Sequence, residues 1–248
     1  MSLTESFVLF VVSLVANLLS ALAGGGAGLL QLPALLYLGL PFGVALATHK
    51  IASVALGVGA TIRHWQTGKF NWRFSGLILA AGLPGVWVGT QLILKVPEQI
   101  AQISLGILTL ALGLYSIFKR DLGLESARLH RDCHGLMIGC SVLFIIGMLN
   151  GSLTSGTGLF VTLWLIRWFG LDFTRAVSYT LILVGFFWNG LGALFLGQQT
   201  PVAWSWLPPL LIGSLLGGYL GAHWALLKGN LLVKRSFEVL TILVGISL

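Results

Sequence analysis

Apolar stretches of about 17 to 20 residues recur along nearly the whole of this 248-residue chain, and each is long enough to cross a hydrocarbon core of about 30 Å. Nothing else in the sequence narrows the outcome as far. Only 8% of the residues are charged and the mean hydropathy is +0.95, whereas a soluble domain carries about 25% charged residues. A water-soluble fold is thereby excluded, and the expected fold class is an all-α integral membrane protein with about 8 to 10 membrane segments. The net charge of +7 does not point to a nucleic-acid partner, because the basic residues sit in short loops between apolar segments rather than along one stripe. The first 23 residues contain no Lys or Arg and are expected to be a retained segment rather than a cleaved leader. Cys133 and Cys140 would lie about 10.5 Å apart along one helix, too far for a disulfide.

Breaks at Gly, Pro and charge clusters predict helical segments near 6–23, 28–39, 43–62, 74–94 and 100–118, then near 134–149, 157–169, 174–196, 203–226 and 231–248. The two sets share one order of lengths. Residues match between them at an offset of 130 to 132: Gly26 and Gly28 with Gly156 and Gly158, Gly39-Leu40 with Gly170-Leu171, Ala45 with Ala176, and Leu108, Thr109 and Gly113 with Leu240, Thr241 and Gly245. The chain therefore reads as a first transmembrane repeat over 1–118, a cytoplasmic connector over 119–133 and a second repeat over 134–248.

Basic residues concentrate in four loops, 63–73, 119–133, 167–175 and 228–235, which the excess of Lys and Arg assigns to the cytoplasmic side. That requires an odd number of crossings per half, or a first pair of segments that enters and leaves on one face. Either way the second half is inverted and both termini lie outside, together with the uncharged loops 39–43 and 197–202. Inverted repeats recur in secondary transporters, whose substrate site forms near mid-membrane where the halves meet. A channel of the same architecture is the alternative.

Four glycines in Gly24-Gly25-Gly26-Ala27-Gly28 cannot sustain a helix. Unwound backbone at membrane depth has to be covered by protein or line a wet cavity, and its N–H groups beside a helix N-terminus suit an anion. The second half repeats the device with polar residues added, from Asn150 and Gly151 through Ser152, Thr154, Ser155, Gly156, Thr157 and Gly158. The bland reading of both is tight helix packing. Thr48-His49-Lys50 lies about 10 Å into its segment, and an intramembrane lysine marks a functional site by default. Lys50 is the natural partner of an anion, while His49 could protonate with transport or simply pack. The seven acidic residues all fall at segment ends or in loops, which disfavours carboxylate relays and cation sites. No catalytic constellation, cofactor motif or metal site is read, so the chain is not expected to be an enzyme. Ala81-Gly85-Gly89 and Gly213-Gly217-Gly221 are small-residue ladders for close helix contact. Tryptophans near loop ends read as interfacial anchors, and the deeper Trp87 and Trp188 as packing residues or cavity walls.

The stretch Gly24-Gly25-Gly26-Ala27-Gly28, Pro33, Leu38-Gly39-Leu40-Pro41 and Ala45-Leu46-Ala47-Thr48-His49-Lys50 resembles the TauE/SafE sulfite exporter family, permeases of the four-toluene-sulfonate-uptake type. Asn150-Gly151, Gly156-Thr157-Gly158, Gly170-Leu171 and Ala176 resemble that family's second repeat, so the likeness covers nearly the whole chain. The family usually reads Ala-Thr-Asn-Lys where this chain has Ala47-Thr48-His49-Lys50. The resemblance implies a carrier of sulfite or a small organosulfonate in the bacterial or archaeal cytoplasmic membrane. The candidate substrate-binding residues are Gly25, Gly26, Gly28, Thr48, His49, Lys50, Asn150, Thr154, Ser155, Gly156 and Thr157. The expected partners are a small anion and membrane lipid. Other sulfur-containing or carboxylate anions remain alternatives, and a homodimer is admitted but not required.

Overall fold

The computed structural model describes residues 3–65, 71–92, 98–153 and 156–247. Those residues fold as helices, with no strand among them. The first half holds α1 (Leu3–Ala23), α2 (Ala27–Tyr37), α3 (Phe42–Trp65), α4 (Trp72–Leu92) and α5 (Glu98–Phe118). The second holds α6 (Cys133–Leu153), α7 (Thr157–Arg167), α8 (Phe173–Gln199), α9 (Leu207–Lys228) and α10 (Asn230–Ser247). Each predicted segment corresponds to one of them. Among the described residues α1, α3, α4, α6, α8 and α9 are long and apolar enough to cross a membrane. At 11 residues apiece α2 and α7 reach only about 16 Å, half of a hydrocarbon core of about 30 Å.

One feature of α8 escaped the apolar pattern. Its middle, Thr180–Trp188, is a π-helix between α-helical ends. Nothing in a uniformly apolar run signals the wider turn, and such stretches gather at functional sites.

The helices pair across the halves. Helix α1 packs most extensively on α9 and α6 on α4, while α3 meets α8 and α5 meets α10. Exchanging the halves turns the first pairing into the second and returns the other two unchanged. Without a hydrophobic drive between helices in lipid, close backbone approach supplies the attraction, and small residues permit it. Gly213, Gly217 and Gly221 press on the carbonyls of Phe10, Leu14 and Leu18, and Gly85 and Gly89 on those of Phe144 and Met148. A Cβ at Gly217 would stand 2.9 Å from the Leu18 nitrogen, which belongs to rigid helix backbone. Gly217→Ala is therefore expected to destabilise the protein by about 1–3 kcal/mol, read as a lower melting temperature in detergent.

The described parts of all four basic loops meet at one end. Ala127 N donates to the Gly170 carbonyl at 2.8 Å and Phe173 N to that of Gly123 at 2.8 Å, binding the connector to the α7–α8 turn. Asn230 ties the fourth loop in: its Nδ2 donates to Leu124 O and its Oδ1 accepts from Thr174 N. Arg131 lies over the rings of Phe74 and Phe169, at 4.2 and 4.9 Å. Thr200 meets Gly43 at the opposite end, where the two uncharged loops come together. Trp65, Trp72 and Trp204 are exposed, as interfacial anchors would be. Trp188 is fully buried with its ring against Gly82, and Trp87 is half exposed, so neither lines the central cavity described next.

Candidate functional site

The first break is built by glycine conformation. Gly24, Gly25 and Gly26 have φ of 87°, 134° and 96°, three successive values that side-chain-bearing residues avoid. The N–H groups of Gly24 and Gly25 both donate to Ser20 O, closing α1, and α2 begins immediately after Gly26. Gly156, with φ of 75°, performs the same turn before α7. The two breaks touch: a Cβ on Gly25 would lie 2.7 Å from the Gly158 Cα. Thr162 of α7 fastens the contact by donating to Gly24 O at 2.7 Å.

Where the breaks meet, a cavity of about 30 Å³ opens. Its walls are Gly25, Gly26 and Gly28 from the first break, Thr157 and Gly158 from the second, and Asn150 from α6. Helix α3 adds His49 and Ser53, and α8 adds Thr180, Val184 and Asn189. The N-termini of the two short helices thus face a common space, where backbone N–H groups and helix dipoles favour negative charge. Ser20 lines the cavity as well, and its buried hydroxyl has no hydrogen-bond partner among the described residues.

Lys50 is fully buried at the cavity edge. Its Nζ donates to Asn150 O at 2.7 Å, to Asn150 Oδ1 at 3.0 Å and to Asn189 Oδ1 at 3.4 Å. Asn150 Nδ2 donates in turn to Thr157 Oγ1 at 2.8 Å. Amide and carbonyl oxygens hold the Lys50 Nζ, and no carboxylate lies within ion-pair reach of it among the described residues. Dipoles alone repay only part of the cost of burying an ammonium. Gly192 walls the lysine: a Cβ there would sit 3.0 Å from Nζ and 3.1 Å from Cε. Gly192→Ala is expected to push the Lys50 Nζ a few tenths of an ångström off its place while leaving the melting temperature in detergent nearly unchanged.

His49 is held on both ring nitrogens, with Nδ1 2.8 Å from Gln31 Oε1 and Nε2 3.1 Å from Ser53 Oγ. Gln31 and His49 stand at the repeat offset from Thr162 and Thr180, which also bond to each other, at 2.9 Å. The α2–α3 contact and the α7–α8 contact are therefore the same device, ionisable in one half and not in the other.

Of the residues singled out from sequence, Gly25, Gly26, Gly28, His49, Asn150 and Thr157 line the cavity and Lys50 adjoins it through Asn150. Thr48 points elsewhere. Its Oγ1 accepts from Ala203 N at 3.0 Å, which fixes the turn ahead of α9, because adjacent residues of a helix face different neighbours. Gly156 turns the chain and packs on Leu29 rather than lining the space. Thr154 and Ser155 lie outside the described residues. Ser20, Gln31, Ser53, Thr180 and Asn189 had not been singled out. Asn189, an amide within a long apolar run, could have been found by the reasoning that found Lys50.

Comparison with known proteins finds similarity over nearly the whole chain. The family described as "Sulfite exporter TauE/SafE" matches residues 9–248. A "Probable membrane transporter protein" of Haemophilus influenzae is 31% identical over 237 residues, covering 94% of this chain and 90% of the relative. The "Probable membrane transporter protein YfcA" of Escherichia coli K12 is 28% identical over 239 residues, covering 94% and 86%. The "Probable membrane transporter protein ORF9" of Sinorhizobium sp is 27% identical over 244 residues, covering 97% and 90%. No solved structure matches. Spanning helices, paired glycine breaks and a match over nearly its entire length leave one conclusion: the chain belongs to the sulfite exporter TauE/SafE family and is a multi-pass membrane transporter.

Proposed function

We propose that this transporter carries a small oxoanion, sulfite or a small organosulfonate, by alternating access at the cavity between the two glycine breaks. The observation that carries the reading is the buried Lys50 ammonium, held by amide and carbonyl oxygens with no carboxylate in reach among the described residues, beside a cavity onto which two helix N-termini open. Sulfite and sulfonate groups present three oxygens to such donors, and charge-assisted hydrogen bonds are the strong ones. In this reading Lys50 supplies charge, and Ser20, Asn150, Thr157 and backbone N–H groups supply geometry. The described halves act as inverted repeats, and rocking of one against the other exposes the cavity to each side in turn. The end where the basic loops gather faces the cytoplasm, leaving both termini outside.

A thermal-shift panel of sulfite, sulfate, thiosulfate, sulfoacetate, taurine, chloride and sodium tests the substrate class, because a ligand that binds the folded state raises its melting temperature. A saturable rise with sulfite or a sulfonate, and none with sodium, is the expected result. A rise with a cation alone would overturn the reading. Counterflow exchange in proteoliposomes separates the carrier from a channel, whose flux neither saturates nor exchanges.

A further inference from the structure

The hydrogen-bond chain running from α9 to the cavity points to where the proton of His49 sits. The chain ends on the Leu210 carbonyl, which can only accept, and Ser13 Oγ donates its single proton there at 2.7 Å. Ser13 Oγ also meets Ser214 Oγ at 2.9 Å and Asn17 Nδ2 at 3.3 Å, and Gln31 Nε2 donates to it at 3.1 Å, which turns Gln31 Oε1 toward His49. That oxygen can only accept, which places a proton on His49 Nδ1 and leaves the neutral ring's lone pair on Nε2. Nε2 is the nitrogen beside Ser53, and Ser53 lines the cavity.

Ser53 makes that lone pair switchable. Its hydroxyl lies 3.1 Å from His49 Nε2 and 3.0 Å from His49 O. With the ring neutral, the hydroxyl donates to Nε2. With the ring protonated, Nε2–H donates to Ser53 Oγ and the hydroxyl donates to the His49 carbonyl. Both charge states are satisfied after a single hydroxyl rotation, with no movement of the backbone. A histidine placed only for packing has no need of this second acceptor.

The surroundings set when the proton is taken. Among the described residues no Lys, Arg, Asp or Glu lines the cavity, and Lys50 adjoins it through Asn150. The groups facing His49 from α1, α2, α6, α7 and α8 are hydroxyls, amides and apolar side chains, among them Ser20, Gln31, Asn150 and Thr180. With the cavity free of anion, a second positive charge beside Lys50 is opposed by repulsion and desolvation. An anion in the cavity offsets the repulsion and pairs with the new charge. By linkage the effect is reciprocal: the anion favours the proton and the proton favours the anion.

We propose that His49 Nε2 is a proton site that fills together with the anion, so that the carrier moves its substrate with a proton. One N–H bond forms on Nε2 with a proton drawn from the aqueous side open to the cavity, and it breaks when the anion leaves on the other side. Nothing is oxidised or reduced. The repeat-related Thr180 cannot ionise, so each carrier holds one such proton. The inference rests on the anion-carrier reading and names its coupling ion.

Titration calorimetry of the purified full chain, with methanesulfonate and with sulfite, in two buffers of unlike ionisation enthalpy counts protons taken up per anion bound. Methanesulfonate does not titrate near neutral pH, so its count belongs to the protein. Uptake approaching one proton per methanesulfonate is expected, with affinity falling about tenfold per pH unit once the site empties. His49→Asn keeps a donor toward Gln31 and is expected to bind the anion without proton uptake and without pH dependence. An unchanged proton count in His49→Asn, or binding by the natural protein with no uptake, overturns the proposal and leaves the anion site standing. If no anion binds at all, the carrier reading falls and this inference with it. Nitrogen NMR of histidine-labelled protein, assigned by difference with His49→Asn, supplies a ligand-free check: a proton on Nε2 rather than Nδ1 at neutral pH would also overturn it.

Discussion

Lys50→Met is expected to lower anion affinity by about 100-fold or more while the protein still folds. Methionine has nearly the length and girth of the lysine stem and fills the slot beside Gly192, so packing is kept. What disappears is the charge. Truncating one member of a buried, hydrogen-bonded charge pair typically costs about 2–5 kcal/mol, and about 1.4 kcal/mol is a factor of ten. Stability responds differently. The Asn150 oxygens lose a donor, but an uncompensated buried cation is removed as well, and replacing such a charge with an apolar group is often neutral. A melting temperature close to that of the natural protein, combined with loss of the sulfite-induced shift, is the result that assigns the charge. Undiminished binding in Lys50→Met would remove Lys50 from the site. Lys50→Arg keeps the charge yet is not expected to restore full affinity, because the wider guanidinium has no room against Gly192.

The second large effect falls on the fold. Gly25→Ala is expected to destabilise by several kcal/mol, so that little monodisperse protein survives extraction. A φ of 134° is hostile to any Cβ, at a cost of about 1–3 kcal/mol. The added carbon would also stand 2.7 Å from the Gly158 Cα and carbonyl carbon and 2.9 Å from the Leu159 nitrogen, atoms that cannot rotate aside. Overpacking adds about 1–3 kcal/mol. Gly158→Ala makes a useful contrast, since its backbone has no positive φ and its nearest contact, the Gly25 Cα, is at 3.0 Å. It should fold with a lowered melting temperature. Size-exclusion profiles of the two variants expressed in parallel test the ranking, and equal yields would show that the breaks do not depend on this crossing.

The helices were legible in the sequence because lipid leaves the backbone so few solutions that length and apolarity nearly determine each segment. The glycine breaks were legible for the same reason, since Gly24-Gly25-Gly26 has no other stable use at that depth. Side-chain direction was not. Thr48, His49 and Lys50 are consecutive, yet one fixes the Ala203 turn, one lines the cavity and one reaches Asn150. Which of three neighbours faces the site depends on where α3 is gripped, and that is decided by partners such as Gln31 and Asn189, more than a dozen residues away along the chain. The π-helical stretch of α8 hid in an apolar run without periodicity, although it carries Thr180 and Val184 to the cavity and delivers Asn189 beside Lys50.

The pairing of α1 with α9 also dictates how such a chain has to be made. About 200 residues separate the start of α1 from that of α9, which at about 5–20 residues per second is roughly 10 to 40 s of synthesis. Through that interval α1 sits in the bilayer without its partner, its Ser13 and Asn17 turned toward lipid or toward whatever shields them. Neither half can be a domain that folds on its own and then docks. A ribosome halted after the connector would leave α1 and α4 each waiting for a helix not yet synthesised or not yet settled. The insertion machinery must therefore hold the early helices until the late ones arrive, and severed halves produced together should recover the protein where either alone is degraded.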